Sequence, residues 1–562
     1  MKKLTSIILA LILIGLVSGV TLAATPIIAV DELRPGMQGI AKTVIRGADI
    51  ETFNVEILGV TGSQAEGHSI LVRASGDVIE RSGGIAQGMS GSPVYIDGRL
   101  AGAVAYGKAF SDPTYCFLTP IEEMLRMFEE RNPRPSEFIP KNSPLMVSGF
   151  SAAGLSYLTE KLAPFNLQPF AVPTGQHSVT GITLEPGSSV GVELARGDVR
   201  LGAIGTVTWL DDKGRVLAFG HPFLQSGDAD YFMTNAWIFA SIPNVESSYK
   251  VGALGEVVGA VKQDRAAGIA GQLGAMPQII PLFVAVTDTA RGLHKSAEVQ
   301  LITAETLVPS LVDGICYNTV NQASDRKGAG TAKVNFRIAA RGAEQGELVL
   351  ERENMFYHAK DVAKIATAEL AYATDLLMNN KFEKTTIFDI NVNVEITDSV
   401  ELAEIVKAST KTGVVKPGDK ILVEVEFQPY RSKKITKTVE FKIPSDSKEG
   451  PLTLLVRGGG AFSWMQTLLK KQQADGAAPP RTDKKKTFKD YVQDFNNTDK
   501  NNELVLDILP GNKLKAAAAG GEGEASTGLG VRAMLKGSKH KQKYPLNFVV
   551  DGELELHLRV VQ

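Results

Sequence analysis

The stretch Gly84–Gly107, GIAQGMSGSPVYIDGRLAGAVAYG, begins with a turn of small residues centred on a serine. Gly88 and Gly91 stand on either side of Ser90, so the backbone can turn tightly and direct successive N–H groups toward one point. Such a turn can form an oxyanion hole, with the Gly88 and Ser90 N–H groups as its donors. Ser90 is therefore a candidate nucleophile.

A β-hairpin is predicted directly after this turn. Pro93 opens a short apolar run that ends at Ile96, and Arg99–Ala105 has the composition of a partner strand. Asp97-Gly98 between them is typical of a two-residue hairpin turn. The hairpin would hold Ser90 rigidly at a strand entrance.

The 562 residues are 44% hydrophobic and 22% charged, which is ordinary globular composition and enough for two or more domains. The net charge of -2 gives no basic field, so we expect no nucleic-acid partner. Lys2 and Lys3 precede an apolar segment from Ile7 to Val20, and the cleavage site that follows at Ala23 predicts a signal peptide over residues 1–23. Export to the periplasm, cell envelope or extracellular space follows, and an uncleaved membrane anchor is the alternative. No later segment looks transmembrane, so we expect no membrane association after cleavage.

The cysteines and histidines give no sign of a metal site. Cys116 and Cys316 are the only cysteines, so the sequence leaves open one disulfide or two thiols. The histidines lack the paired spacing of metal ligands. We expect neither a metal nor a cofactor.

Working outward from the serine turn, the chain reads as mainly β up to about residue 350. Strand patterns lie before the turn, and a helix is predicted after it, with Thr119 as N-cap and Pro120 in the first turn. Further on, a strand from Arg215 to Phe219 is followed by Gly220-His221-Pro222, so His221 also lies at a strand end. The glycine-rich segment beyond it lacks phosphate-loop spacing and is predicted to form more barrel strands.

The C-terminal part has a different pattern. A long helical pattern within 351–384 predicts a connector, and period-two alternation over 385–460 predicts an immunoglobulin-like β-sandwich. Residues 461–562 are predicted to contain a helix, a flexible linker and the final strands.

The serine turn and hairpin resemble the nucleophile segment of chymotrypsin-like serine peptidases, and more closely that of the stage IV sporulation protein B peptidase family. The segments Glu80–Gln87 and Thr119–Leu125 are also similar to that family. A second block, from Gly205 to His221, resembles the family segment that carries the catalytic histidine, and the resemblance assigns that role to His221. It implies a double β-barrel over 24–350, with a serine half at about 28–135 and a histidine half at about 200–350.

Two features depart from the family. The serine block precedes the histidine block here, as though the two halves were circularly exchanged; a triad is defined by geometry, so this order does not exclude activity. The family's aspartate position, fifteen residues before the nucleophile, is Ser75 here. Asp77 is the first choice of acid, with Asp228 and Asp230 as rivals, and a Ser-His dyad or an inactive site stays open.

The favoured interpretation is an exported serine endopeptidase that cleaves itself or one specific protein target. Ser90 would attack, His221 would act as general base, and His68 is a rival base because it is close to the serine turn in sequence. The alternative is an inactive peptidase-like envelope scaffold or binding protein. The sequence leaves the oligomeric state open.

Overall fold

The computed structural model describes residues 25–63, 67–107, 111–129, 144–173, 181–460, 487–509 and 540–562. The predicted signal peptide and the predicted linker lie outside these residues. The described part is mainly β, which confirms the predicted fold class. The described residues divide into two compact units, one drawn from 1–149, 162–196 and 200–278 and the other from 150–161, 197–199 and 279–562. Among the described residues, no helix is both long and apolar enough to cross a bilayer.

The first unit begins with a closed six-stranded barrel whose strands pair in the order β1-β2-β3-β6-β5-β4. The predicted hairpin is confirmed as β4 and β5, and Asp97 and Gly98 have positive φ angles of 50° and 75°. Alternating side chains such as Ile57, Val72 and Val94 point inward and are fully buried. The strands are β1 Gln38–Thr43, β2 Glu51–Ser63, β3 Gly67–Ser75, β4 Pro93–Ile96, β5 Arg99–Tyr106 and β6 Tyr115–Pro120.

Two short helices flank this barrel. Asp77–Ser82 lies between β3 and the serine turn. The helix Ile121–Leu125 begins one residue later than predicted, with Pro120 as its N-cap residue. Thr119 does not cap it, because its hydroxyl donates to Gly220 O at 2.5 Å.

A second ring of six strands completes the first unit. Strand β9 pairs with β10 and β12, and the ladder continues through β13, β14 and β11 back to β10, so the pairings close on themselves. Strands β7 and β8 extend it beyond β10. The strands are β7 Leu145–Ser148, β8 Pro169–Ala171, β9 Ser189–Gly197, β10 Arg200–Leu210, β11 Arg215–Ala218, β12 Gly227–Ile242, β13 Tyr249–Arg265 and β14 Gly268–Leu273.

The second unit contains a sheet covered by helices. Its strands pair in the order β18-β17-β19-β15-β16. The helix Val362–Met378 follows the predicted connector pattern, with the Asp361 side chain accepting from Lys364 N. The helix Val308–Ser324 lies where barrel strands are predicted, with Pro309 in its first turn. The strands are β15 Ile280–Asp288, β16 Leu293–Leu301, β17 Gly330–Gly342, β18 Gly346–His358 and β19 Thr385–Thr397.

A β-sandwich follows in the same unit. Its first sheet has the order β23-β22-β20-β27 and its second has the order β21-β28-β24-β25-β26. The alternation of β19 predicts membership of this sandwich, but β19 pairs with β15 and β17 instead. The strands are β20 Leu402–Thr410, β21 Val414–Val415, β22 Lys420–Pro429, β23 Ile435–Lys442, β24 Gly450–Gly458, β25 Glu503–Leu509, β26 Gln542–Pro545, β27 Val549–Asp551 and β28 Glu553–Val560. A further helix, Phe488–Asn496, precedes β25.

Candidate active site

The serine turn is a fixed structure at the start of β4. Gly88 and Gly91 have φ angles of +91° and +94°, a region where glycine carries no steric penalty. Met89 N–H donates to Ala86 O at 3.0 Å, and Gly91 N–H donates to Val104 O at 2.7 Å. The same turn carries the Gly88 and Ser90 N–H groups, which the sequence predicts as oxyanion-hole donors. Ser90 itself is only 2% exposed.

Thr206 on β10 of the second barrel binds the turn at two points. Its N–H donates to Ser90 O at 2.8 Å, and its hydroxyl donates to Gly88 O at 3.1 Å. The approach is close, since a Cβ added to Gly91 would lie 1.9 Å from Thr206 O. The serine turn belongs to the first barrel in sequence and is held by the second barrel in space.

His221 is carried by a strained turn after β11. Phe219 has a φ angle of 69°, which is uncommon for a non-glycine residue, and Gly220 also has 69°. The imidazole is 1% exposed and lies between the rings of Tyr106 and Phe219, with centroid distances of 6.0 and 5.9 Å. Its Nδ1 lies 2.8 Å from Pro222 O.

Val104 O of the first barrel lies between the serine turn and the histidine turn. This oxygen accepts from Gly91 N–H, and a Cβ added to Gly220 would lie 3.0 Å from it. A Cβ added to Gly91 would in turn lie 2.5 Å from Phe219 N. Gly91, the residue after Ser90, and Phe219, two residues before His221, therefore meet across the two barrels.

The three candidate acids have other partners. The Asp77 side chain is 79% exposed and accepts from Arg81 Nε at 2.7 Å within its helix. Asp228 is 72% exposed and pairs with Arg265, and Asp230 pairs with Lys262. The acceptor at His221 Nδ1 is a backbone carbonyl and none of these carboxylates.

A carboxylate that the sequence analysis missed supports the histidine turn through the backbone. Asp264 on β13 accepts from Phe223 N–H and Leu224 N–H, each at 2.7 Å. Burial raises the pKa of Asp264, while these backbone N–H groups act to lower it. In sequence Asp264 lies among polar residues of a strand, and no local signal distinguishes it.

Lys250 is the second residue that the sequence analysis missed. It is fully buried, and its Nζ lies 3.0 Å from Thr43 Oγ1 and 3.4 Å from Thr206 Oγ1. Burial lowers the pKa of Lys250 to about 7. Its stem packs under the serine turn, because a Cβ added to Gly88 would lie 3.1 Å from Lys250 Cδ.

The remaining candidates occupy other places. His68 lies opposite Gly62, near the end of the β2–β3 hairpin. Cys116 and Cys316 are both buried thiols. Within the described ranges, no group of three histidine, cysteine, aspartate or glutamate side chains is arranged to hold a metal ion.

Comparison with known proteins identifies the serine half. Residues 18–125 match the model of a family described as SpoIVB peptidase S55, and this match includes Ser90 but ends before His221. No curated protein and no solved structure matches the chain. The match supports a serine peptidase and agrees with the double-barrel fold. Over residues 18–125, which include the serine barrel, the chain is therefore similar to the SpoIVB peptidase S55 family.

Proposed function

We propose that the chain is an exported serine endopeptidase with Ser90 as nucleophile and His221 as general base. The observation that carries this proposal is the meeting of the two turns, in which Gly91 lies against Phe219, and Gly91 and Gly220 both adjoin Val104 O. A nucleophile and a base on separate barrels need such a junction to act together. The family match of the serine half adds an independent reason.

The proposed reaction is acyl transfer. Ser90 Oγ would attack a peptide carbonyl while its proton passes to His221 Nε2, and the oxyanion would bind the Gly88 and Ser90 N–H groups. His221 would then give that proton to the leaving amine. A water molecule would then attack the acyl-enzyme while its proton passes to His221. Ser90 Oγ would leave and take a proton back from His221.

The contact between His221 and Pro222 O favours the tautomer that this reaction needs. A carbonyl oxygen can only accept, so Nδ1 must carry the hydrogen in this 2.8 Å contact. Nε2 of the neutral ring is then the acceptor nitrogen. We propose a Ser-His dyad in which a carbonyl orients the base, in place of a triad with Asp77, Asp228 or Asp230.

The substrate in this proposal is a protein or peptide. The resemblance to the sporulation peptidase favours one specific target, or the chain itself, over broad digestion. Both Ser90 and His221 are almost fully buried, which agrees with a restricted substrate range. The proposal places the mature protein outside the cytoplasm, after removal of residues 1–23.

The test is active-site labelling of the mature chain with a fluorophosphonate probe. We expect covalent labelling of the native protein, loss of it in Ser90→Ala, and a fall of at least about 100-fold in His221→Gln. Ser92→Ala is the matched control, since Ser92 is a buried serine two residues away, and it should label like the parent. Absence of Ser90-dependent labelling in the folded protein would reject the peptidase.

The same experiment tests the second candidate function, that of an inactive peptidase-like scaffold. One observation favours that candidate: the acceptor at His221 Nδ1 is a carbonyl and lacks the negative charge of a triad acid. A folded protein whose Ser90 does not react would support it.

A further inference from the structure

Lys250 occupies a place where a lysine is energetically costly. It belongs to β13, its side chain is fully buried, and its pKa is lowered by burial alone, with no charged group contributing. A buried ammonium without a counter-ion is strongly unfavourable, so such a residue requires an explanation. The described residues around it supply two hydroxyl partners, Thr43 and Thr206.

Those partners connect the two barrels at the serine turn. Thr43 lies on β1 of the first barrel and Thr206 on β10 of the second. The Thr206 hydroxyl continues the chain of hydrogen bonds by donating to Gly88 O, and the backbone N–H of Thr206 donates to Ser90 O. The backbone of Lys250 joins as well, since its N–H donates to Gln87 O at 2.9 Å.

We propose that Lys250 is a positioning residue for the nucleophile, whose neutral amine links Thr43 to Thr206 and so fixes the turn from Gly88 to Ser90. This inference rests on the proposed function for its catalytic meaning. A neutral amine has two N–H donors, which matches the two hydroxyl acceptors. An ammonium has a third donor and a charge, and neither finds a partner among the described residues.

Other charged groups on the elements packed against Lys250 are engaged elsewhere. On β1, Lys42 lies 5.3 Å from the centre of the Tyr95 ring. On β10, Arg200 binds Glu193, and on β12 the carboxylates of Asp228 and Asp230 bind Arg265 and Lys262. Strand β7, Leu145–Ser148, and the turn Gln87–Gly88 carry no titratable side chain. Protonation of Lys250 itself is therefore the event that would loosen the turn as the pH falls below neutrality.

The first experiment measures hydrogen exchange of residues 86–92 in the full mature chain, because it does not depend on activity. We expect exchange to be about 10-fold faster in Lys250→Met and in Thr206→Val than in the parent at pH 8. Lys262→Met is the control, an exposed lysine on the same strand, and should match the parent. The parent should lose protection between pH 8 and pH 6 after correction for intrinsic rates, whereas Lys250→Met should not.

The second experiment measures the rate of fluorophosphonate labelling of Ser90 against pH. We expect the labelling rate at pH 8 to be about 10-fold lower in Lys250→Met than in the parent. The fall of this rate toward acid pH should also be shallower, because the ionisation of Lys250 no longer contributes to it. If residues 86–92 exchange hydrogen at the parental rate in both Lys250→Met and Thr206→Val, the inference is overturned, whether or not Ser90 is labelled. A protected turn that loosens in both variants, in a parent whose Ser90 never reacts, would reject the peptidase and keep the positioning role.

Discussion

At the scale of residues, the histidine turn is held by its backbone. Pro222 O accepts from the His221 ring, and Asp264 accepts from the next two N–H groups along the chain. The carboxylate thus fixes the path of the turn, and the turn fixes the ring. In this arrangement the carboxylate contacts the backbone and a carbonyl contacts the ring, whereas in a triad one carboxylate contacts the base directly.

Replacing Asp264 by Asn tests this arrangement. The amide keeps one acceptor oxygen but places an NH₂ group against a backbone N–H, so a buried donor loses its partner. We expect a loss of about 1–3 kcal/mol in the free energy of unfolding and slower labelling of Ser90. Chemical denaturation and the fluorophosphonate rate measure the two effects.

Asp228→Asn is the control for this prediction, because its carboxylate is 72% exposed. It should change the free energy of unfolding by less than about 0.5 kcal/mol. Equal effects of the two substitutions would contradict the supporting role of Asp264.

The sequence identifies Ser90 and His221 as candidates because both stand beside glycines at strand ends, which is a local pattern. Lys250 and Asp264 leave no such pattern: both belong to β13, where apolar and small residues follow Lys250 and polar residues surround Asp264. Lys250 is buried against the serine turn and Asp264 against the histidine turn, and both contacts are made only in the folded chain. Asp77 is suggested by its distance from Ser90 along the chain, but it starts a helix and faces Arg81.

At the scale of elements, the serine turn and the turn of the β4–β5 hairpin use glycine for different reasons. Gly91 has a φ angle of +94° and no room for a side chain, since a Cβ would lie 1.9 Å from Thr206 O. Gly98 has a φ angle of +75° and nothing within 4 Å of its Cβ position. The first glycine is required by packing and by conformation, and the second by conformation alone.

The pair Gly91→Ala and Gly98→Ala separates these two causes. Gly98→Ala should cost about 1–2 kcal/mol, the penalty of placing an alanine in the left-handed region. Gly91→Ala should lower the free energy of unfolding by clearly more than Gly98→Ala. It should also abolish labelling of Ser90, because the backbone at Gly91 or at Thr206 must move to make room for the new methyl group. Thermal unfolding followed by circular dichroism compares them, and a similar shift in both would refute the close packing of the barrels at Gly91.

The hairpin β4–β5 could be predicted from the sequence because Asp97-Gly98 specifies its turn locally. Alternation in β19 likewise predicts a strand, but it does not say which sheet the strand joins. The helix Val308–Ser324 escapes prediction because its apolar positions are buried on most sides, which blurs the helical period. Partner choice and full burial are properties of tertiary packing.

At the scale of the whole molecule, distant segments are joined by charge as well as by sheets. In the second unit, Asp499 binds Arg457 at 2.7 Å, Lys541 at 2.7 Å and Lys543 at 2.8 Å. These residues stand on either side of 461–486 and 510–539, which the structure does not describe. Burial by itself would raise the pKa of Asp499, but the hydrogen bonds from these cations outweigh it and hold the pKa well below its ordinary value.

Asp499→Asn should therefore destabilise the protein in a pH-dependent way. The carboxylate has a lower pKa in the folded state than in the unfolded state, where it is about 3.9. Its stabilisation is complete above that value and is lost as the pH falls toward the folded pKa. We expect a deficit of about 3–5 kcal/mol at pH 7 that shrinks below pH 4.

Urea unfolding of the parent and variant at several pH values measures this deficit. Asp446→Asn is the control, a largely exposed carboxylate near His540 in the same unit. A deficit that stays constant down to pH 2 would show that Asp499 acts through packing and not through its charge.

The order of the two barrels along the chain has a consequence in time. A chain synthesised from its N terminus completes the barrel that carries Ser90 before Thr206, His221, Lys250 or Asp264 has been made. In the proposed peptidase, the nascent polypeptide would hold its nucleophile without a base or a support until those residues emerge. The proposed catalytic site would then be completed late, so that the half-made protein could not cleave itself or its neighbours.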